Sequence, residues 1–86
     1  MEDVRANTLA GVAAVICGLS PGVGASTITE EDLLRDDRLG LDSLTLVEFV
    51  LRVEKKFDVT IRDAEVGKLR TVGDVVNYVL NWYADL

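Results

Sequence analysis

The chain has 86 residues, 49% of them hydrophobic, with fifteen acidic and nine basic side chains, a net charge of −6, one Cys and no His. That length supports one modest core, and the apolar share excludes a disordered tail. The missing His excludes Ser/His and Cys/His dyads and any His-ligated metal, the single Cys excludes a disulfide framework or zinc cage, and the acidic balance disfavours nucleic acid, whose binders need a basic face.

The start, Met1-Glu2-Asp3-Val4-Arg5, lacks the cationic n-region of a secretory signal. The apolar run 9–19 is too short to span a bilayer. Ile16, before Cys17, is too bulky for a lipoprotein-type cleavage site. The expectation is therefore a cytoplasmic monomer without a membrane segment. Val4, Leu9, Val12, Val15, Ile16 and Leu19 recur near helical spacing and predict a first helix over about 3–17. Gly11 lies inside it at a cost of about 1 kcal/mol relative to Ala, and Gly18 offers a stop.

A long loop follows over about 18–42. Gly18, Gly22, Gly24 and the only Pro, Pro21, mark its first part. No Lys follows Gly24 and no strand precedes Gly18, so a phosphate-cradling loop fails its context. Thr29-Glu30-Glu31-Asp32 resembles a capping box and predicts a short helical turn near 30–35. The acids around Gly40 invite a calcium loop, but that register puts Arg35 at its first ligand position and Leu46 at its last. Calcium is excluded on that ground.

The second helix is predicted over about 43–57. Val59-Thr60-Ile61 connects it to a short third helix over about 64–68, capped by Asp63. Thr71-Val72-Gly73-Asp74 is a second capping-box pattern and opens a fourth helix over about 72–84. Val72, Val75, Val76, Val79 and Tyr83 form its apolar stripe. No stretch alternates as a strand with hairpin turns. The fold class is all-α: a small four-helix bundle of three main helices, one short helix and a long first loop, in a single domain spanning 1–86.

The second helix carries more apolar surface than one core contact needs. Leu46, Phe49, Val50, Val53 and Phe57 form one stripe; Leu44, Val47 and Leu51 form a second on an adjacent face, with Glu48 beside it. Either both stripes are buried or the second is a docking face, since a contiguous exposed apolar patch marks an interaction site. Asp42 suits the N-cap of this helix, which places Ser43 in the first turn, where the helix dipole favours a negative group.

At these residues the chain resembles the acyl carrier proteins. Leu39-Gly40-Leu41-Asp42-Ser43-Leu44 matches the family's attachment motif. The match runs on through Glu54-Lys55-Lys56-Phe57-Asp58-Val59-Thr60-Ile61, Asp63 and Lys68-Leu69-Arg70-Thr71-Val72-Gly73-Asp74, covering about 28–83. The resemblance implies that Ser43 carries 4′-phosphopantetheine, transferred from coenzyme A by a phosphopantetheinyl transferase that reads Asp42. It implies a carrier with no catalysis of its own, because the arm's thiol holds the acyl group. Leu44, Val47 and Leu51 would meet partner enzymes such as an acyltransferase or ketosynthase, and Glu48 a basic residue of theirs. Val66 and Leu69 would line a cleft for the acyl chain, although both positions read equally well as core. Cys17 is read as a small core residue, not the acyl-bearing thiol.

The segment 30–48 holds seven acids and two bases, so −5 of the net −6 lies on the approach to Ser43. Such a field steers basic partners. Against the bacterial fatty-acid pattern of a strongly acidic second helix, Arg52, Lys55 and Lys56 occupy its later exposed positions, and Gly67 stands where an acid is common. These departures favour a discrete carrier of polyketide or hybrid polyketide–peptide synthesis. The alternatives are a fatty-acid carrier, a peptidyl or aminoacyl carrier of nonribosomal synthesis and, from another class, a helical adaptor without a cofactor.

Overall fold

A computed structural model describes residues 3–85; Met1, Glu2 and Leu86, included in the expected single-domain span, lie outside them. Helix α1 (Val4–Leu19) begins where the Asp3 carboxylate accepts the Ala6 N–H at 3.1 Å. Gly18 does not stop it. The helix runs to Leu19 and ends at Ser20, whose Oγ donates to the Leu39 carbonyl at 2.5 Å, just ahead of Pro21. Proline cannot continue the ladder, so the break falls two residues later than the expected Cys17. Val12, Val15 and Ile16 are buried, but Val4 is 63% exposed, because the first turn projects beyond the core.

The cost of Gly11 has a tertiary reason. A Cβ at that position would sit 2.7 Å from the Phe57 ring edge. The missing side chain therefore lets the end of the second helix pack close against α1.

The expected helical turn over 30–35 does not form. The one helical turn in the loop is a short 3-10 stretch, Ala25–Thr27. Asp32 uses its carboxylate to accept the Thr29 N–H at 2.8 Å, which closes a turn and not a helix cap. The backbone of 30–34 then bonds across the chain. Leu34 N–H donates to the Arg70 carbonyl at 2.9 Å, Val72 N–H to Asp32 at 2.9 Å and Gly73 N–H to Glu30 at 2.8 Å. Leu33 and Thr71 form an isolated antiparallel bridge. The loop also buries Ile28, Leu34, Leu39 and Leu41, so it is a strap packed into the core.

Helix α2 (Ser43–Phe57) ends at Asp58 in the left-handed region, φ 55°. The Glu54 carboxylate accepts the Ile61 N–H at 2.8 Å, and Val59 and Ile61 are buried. Helix α3 (Asp63–Val66) differs from the expected one: Asp63 lies inside it, and Arg62 stands at the cap without a side-chain bond. Helix α4 (Val72–Ala84) opens on a complete capping box of Thr71 and Asp74. Val72, Val75, Val76 and Val79 are fully buried. Tyr83 leaves the expected stripe and is 46% exposed, its hydroxyl donating to the Phe57 carbonyl. The architecture is the all-α bundle expected: α1, α2 and α4 around one core, α3 short at one side, and the strap across the front. No helix among the described residues is long and apolar enough to cross a membrane.

Candidate functional site

The strap delivers the chain to the start of α2 through one demanding turn. Gly40 has φ +67°, a left-handed conformation that a side chain would strain, and its N–H donates to the Asp36 carbonyl at 2.7 Å. Leu39 and Leu41 on either side are anchored in the core. The turn and its two anchors together fix Asp42 at the N-cap of α2. There its carboxylate accepts the Thr45 N–H at 2.8 Å. That N–H, then the Thr45 side chain, the Leu44 N–H and the nearby Arg35 charge hold the Asp42 carboxyl below its usual pKa range.

Ser43 follows in the first turn, exposed to solvent. Its Oγ accepts a hydrogen bond from Arg35 Nη2 at 3.0 Å. Sequence reading missed this contact. Arg35 stands eight residues upstream across an irregular loop, where no periodicity links it to Ser43. Arg35, Asp36, Asp37, Gly40, Leu41 and Asp42 surround an open cavity of about 390 Å³ beside the serine.

The two stripes of α2 separate. Phe49, Val50 and Val53 are buried, with Leu46 and Phe57 half-buried beside them. Leu44, Val47 and Leu51 are 82%, 57% and 59% exposed. Glu48, beside this second stripe, accepts from Arg52 Nη2 at 2.9 Å, so a basic partner group would have to compete with Arg52. Such a surface pair is worth at most about 1 kcal/mol. The acidic approach is also partly answered from within, because Glu30 pairs with Arg5 and Asp32 with Arg38. Asp36, Asp37 and Asp42 line the cavity at the foot of α2, next in sequence to Ser43.

A second, mainly apolar cavity of about 270 Å³ opens between α2 and α3. Val47, Val50, Leu51, Ile61 and Val66 line it, with Glu54 at its wall. Val66 thus faces a cleft, as the sequence allowed. Leu69 does not: it is packed into the core, since the chain turns inward after α3 to reach the strap. Val47 and Leu51 have two environments, one edge on the exposed stripe and one on this cleft. Cys17 is half-buried, and its Sγ donates to the Val23 carbonyl at 3.0 Å, tying α1 to the loop. Among the described residues no cluster of His, Cys, Asp and Glu is placed to hold a metal ion.

The chain is similar to known proteins over most of its length. A family model described as the phosphopantetheine attachment site matches residues 7–79. An acyl carrier protein from an Exiguobacterium species is 52% identical over 58 residues, which cover 67% of this chain and 72% of that protein. A meromycolate extension acyl carrier protein from Mycobacterium leprae is 44% identical over 79 residues, 92% of this chain and 67% of that protein. The crystal structure of an acyl carrier protein from Thermotoga maritima aligns with a TM-score of 0.79 at 26% identity, covering 95% of this chain and 93% of that one.

Proposed function

The chain belongs to the acyl carrier proteins of the phosphopantetheine-attachment family, with 4′-phosphopantetheine as prosthetic group, and we propose that Ser43 Oγ is the atom that carries it. The observation that carries the reading is the exposed Ser43 hydroxyl in the first turn of α2, next to a cation and ahead of an exposed apolar stripe. The residues present fit the group. A phosphodiester on Oγ would lie at the positive end of the α2 dipole and beside the Arg35 guanidinium. When bound, the arm supplies a thiol that holds an acyl group as a thioester. The chain's own residues bind and present: Asp42 fixes the start of α2, the stripe docks partners, and the α2–α3 cleft shelters apolar cargo.

The partners of this reading are a phosphopantetheinyl transferase and pathway enzymes with basic docking patches, met in the cytoplasm by a monomer. The chain acts as a carrier and not as an enzyme, in keeping with a composition that offers Ser43 no His base. Incubation with coenzyme A and a broad-specificity transferase, read by intact mass, tests the attachment. Wild type gains one arm and Ser43→Ala gains none. A gain that persists in Ser43→Ala removes the site assignment, and no gain on wild type removes the reading of Ser43 as the attachment point.

For the pathway, the reading is a discrete carrier of polyketide or hybrid polyketide–peptide synthesis. The support is charge: Lys55 and Lys56 are exposed in the last turn of α2, so its rear is cationic, while acids lie ahead of it at its N-cap Asp42 and in the strap. A second reading, chain extension in the manner named for the Mycobacterium leprae relative, is favoured by the 92% of this chain which that alignment covers. Offering the holo protein malonyl, long-chain acyl and aminoacyl groups with the corresponding loading enzymes separates these readings from each other and from a peptidyl carrier.

A further inference from the structure

Ser43 accepts a hydrogen bond from one of the charged residues that line the neighbouring cavity. Three carboxylates, Asp36, Asp37 and Asp42, border the cavity beside it, and Arg35 is the one cation among the residues that line that cavity. The four ion pairs among the described residues engage Arg5, Arg38, Arg52 and Lys68. None engages Arg35. The guanidinium instead donates from Nη2 to a neutral hydroxyl, Ser43 Oγ, at 3.0 Å. The nearest acid in sequence to the serine, Asp42, is occupied with the Thr45 N–H.

Attachment changes that hydroxyl into a phosphate ester and adds one negative charge to a site already bordered by three acids. A like charge placed there without an answer is repelled. A guanidinium is the group best shaped to answer it, because its planar fork matches two phosphate oxygens at once. Its remaining N–H donors point to no carboxylate partner among the ion pairs above.

We propose that Arg35 is the positioning residue for the attached arm, its guanidinium ion-pairing with the phosphodiester on Ser43 and holding the root of the arm on the strap side of α2. This rests on Ser43 being the attachment point. In the unloaded protein Arg35 holds the hydroxyl by that hydrogen bond. In the loaded protein it neutralises the new charge and restricts the first bonds of the arm.

The experiment treats wild type, Arg35→Lys, Arg35→Gln and, as the unloaded control, Ser43→Ala with coenzyme A and a transferase, reads each by intact mass, and records phosphorus NMR on those that load. In wild type the phosphodiester resonance moves between low salt and about 1 M salt, where the Debye length falls to about 3 Å and the pair is screened. The Arg35 side-chain N–H resonance also shifts when the arm is attached. Arg35→Gln removes the salt response, and Arg35→Lys restores part of it, keeping the charge without the fork. Equal phosphorus shifts and equal salt responses in fully loaded wild type and Arg35→Gln overturn the proposal. An unloaded wild type, or a loaded Ser43→Ala, overturns it together with the attachment reading, and the mass spectrum alone tells that failure from the other. Arg35 is exposed, so neither substitution threatens the core.

Discussion

Helix α2 presents two apolar stripes made from the same kinds of residue. Phe49, Val50 and Val53 are buried in the core cluster; Leu44, Val47 and Leu51 are largely exposed. Burial therefore follows what each stripe faces, not its chemistry. A bundle of this size encloses a helix on one side only, and the strap, which crosses the front of the core through Leu34, Leu39 and Leu41, stops short of the second stripe. The inner stripe holds the fold. The outer one stays largely exposed, with Val47 and Leu51 also edging the α2–α3 cleft, so Leu44 above all calls for an explanation outside the chain.

Six substitutions test that division or set a scale for it. The largest effect belongs to Phe49→Ala, which should lower unfolding free energy by about 3–5 kcal/mol in denaturant titration, since the ring is 1% exposed. A small loss there would show that the inner stripe is not the anchor. Val53→Ala, at the middle of the same stripe, should cost about 1.5–3 kcal/mol by the same measurement.

Thr71→Ala gives a scale for both stripes, because it alters α4 without touching either. Losing the cap should cost about 0.5–2 kcal/mol in thermal or denaturant unfolding. The same capping box sets an acid limb. Asp74 accepts the N–H of Arg70 at 3.0 Å and of Thr71 at 3.1 Å, and these bonds, with the Thr71 hydroxyl, hold its carboxyl below the usual range. A folded pKa below the unfolded one contributes stability that is complete above the ordinary carboxylate range and is lost as pH falls through the lowered value. Asp74→Asn should therefore flatten part of the acid loss of melting temperature; an unchanged slope would show that Asp74 does not contribute to it.

The smallest stability effect belongs to the outer stripe. Leu44→Ala or Val47→Ala should change unfolding free energy by no more than about 0.5 kcal/mol. Their loading or acyl-transfer kcat/KM should fall with partner enzymes, and a large drop in melting temperature instead would place these residues in the core.

The stripes were legible in the sequence because helices write their contacts at three- and four-residue intervals, and α2 and α4 do so clearly. Asp42 was legible because a cap acts on its own neighbours. What the sequence hid joins distant positions. Gly11 reads as a local defect until Phe57, on another helix, is seen against it. Residues 30–35 carry a helix-start pattern, yet their backbone bonds to 70–73, and a local signal loses to partners brought by the fold. Arg35 looked like one charge in an acidic run, and only the turn at Gly40 sets it against Ser43. Leu69 and Val66 were indistinguishable as apolar residues; the direction of the chain after α3 sends one inward and leaves the other on the cleft.

The pairing of Leu33 with Thr71 closes a ring in the chain. Both walls of the α2–α3 cleft lie within that ring. Within that ring α2 is held by core packing, whereas α3 is four residues long and has no side-chain cap. With so short a helix and no cap, α3 is the less firmly held wall of the cleft, and its amides should open more readily than those of the clasp at Leu33 and Thr71. Hydrogen exchange should show this as two populations: fast amides at 63–66, and slow ones at Leu34 and Val72, which fasten the ring.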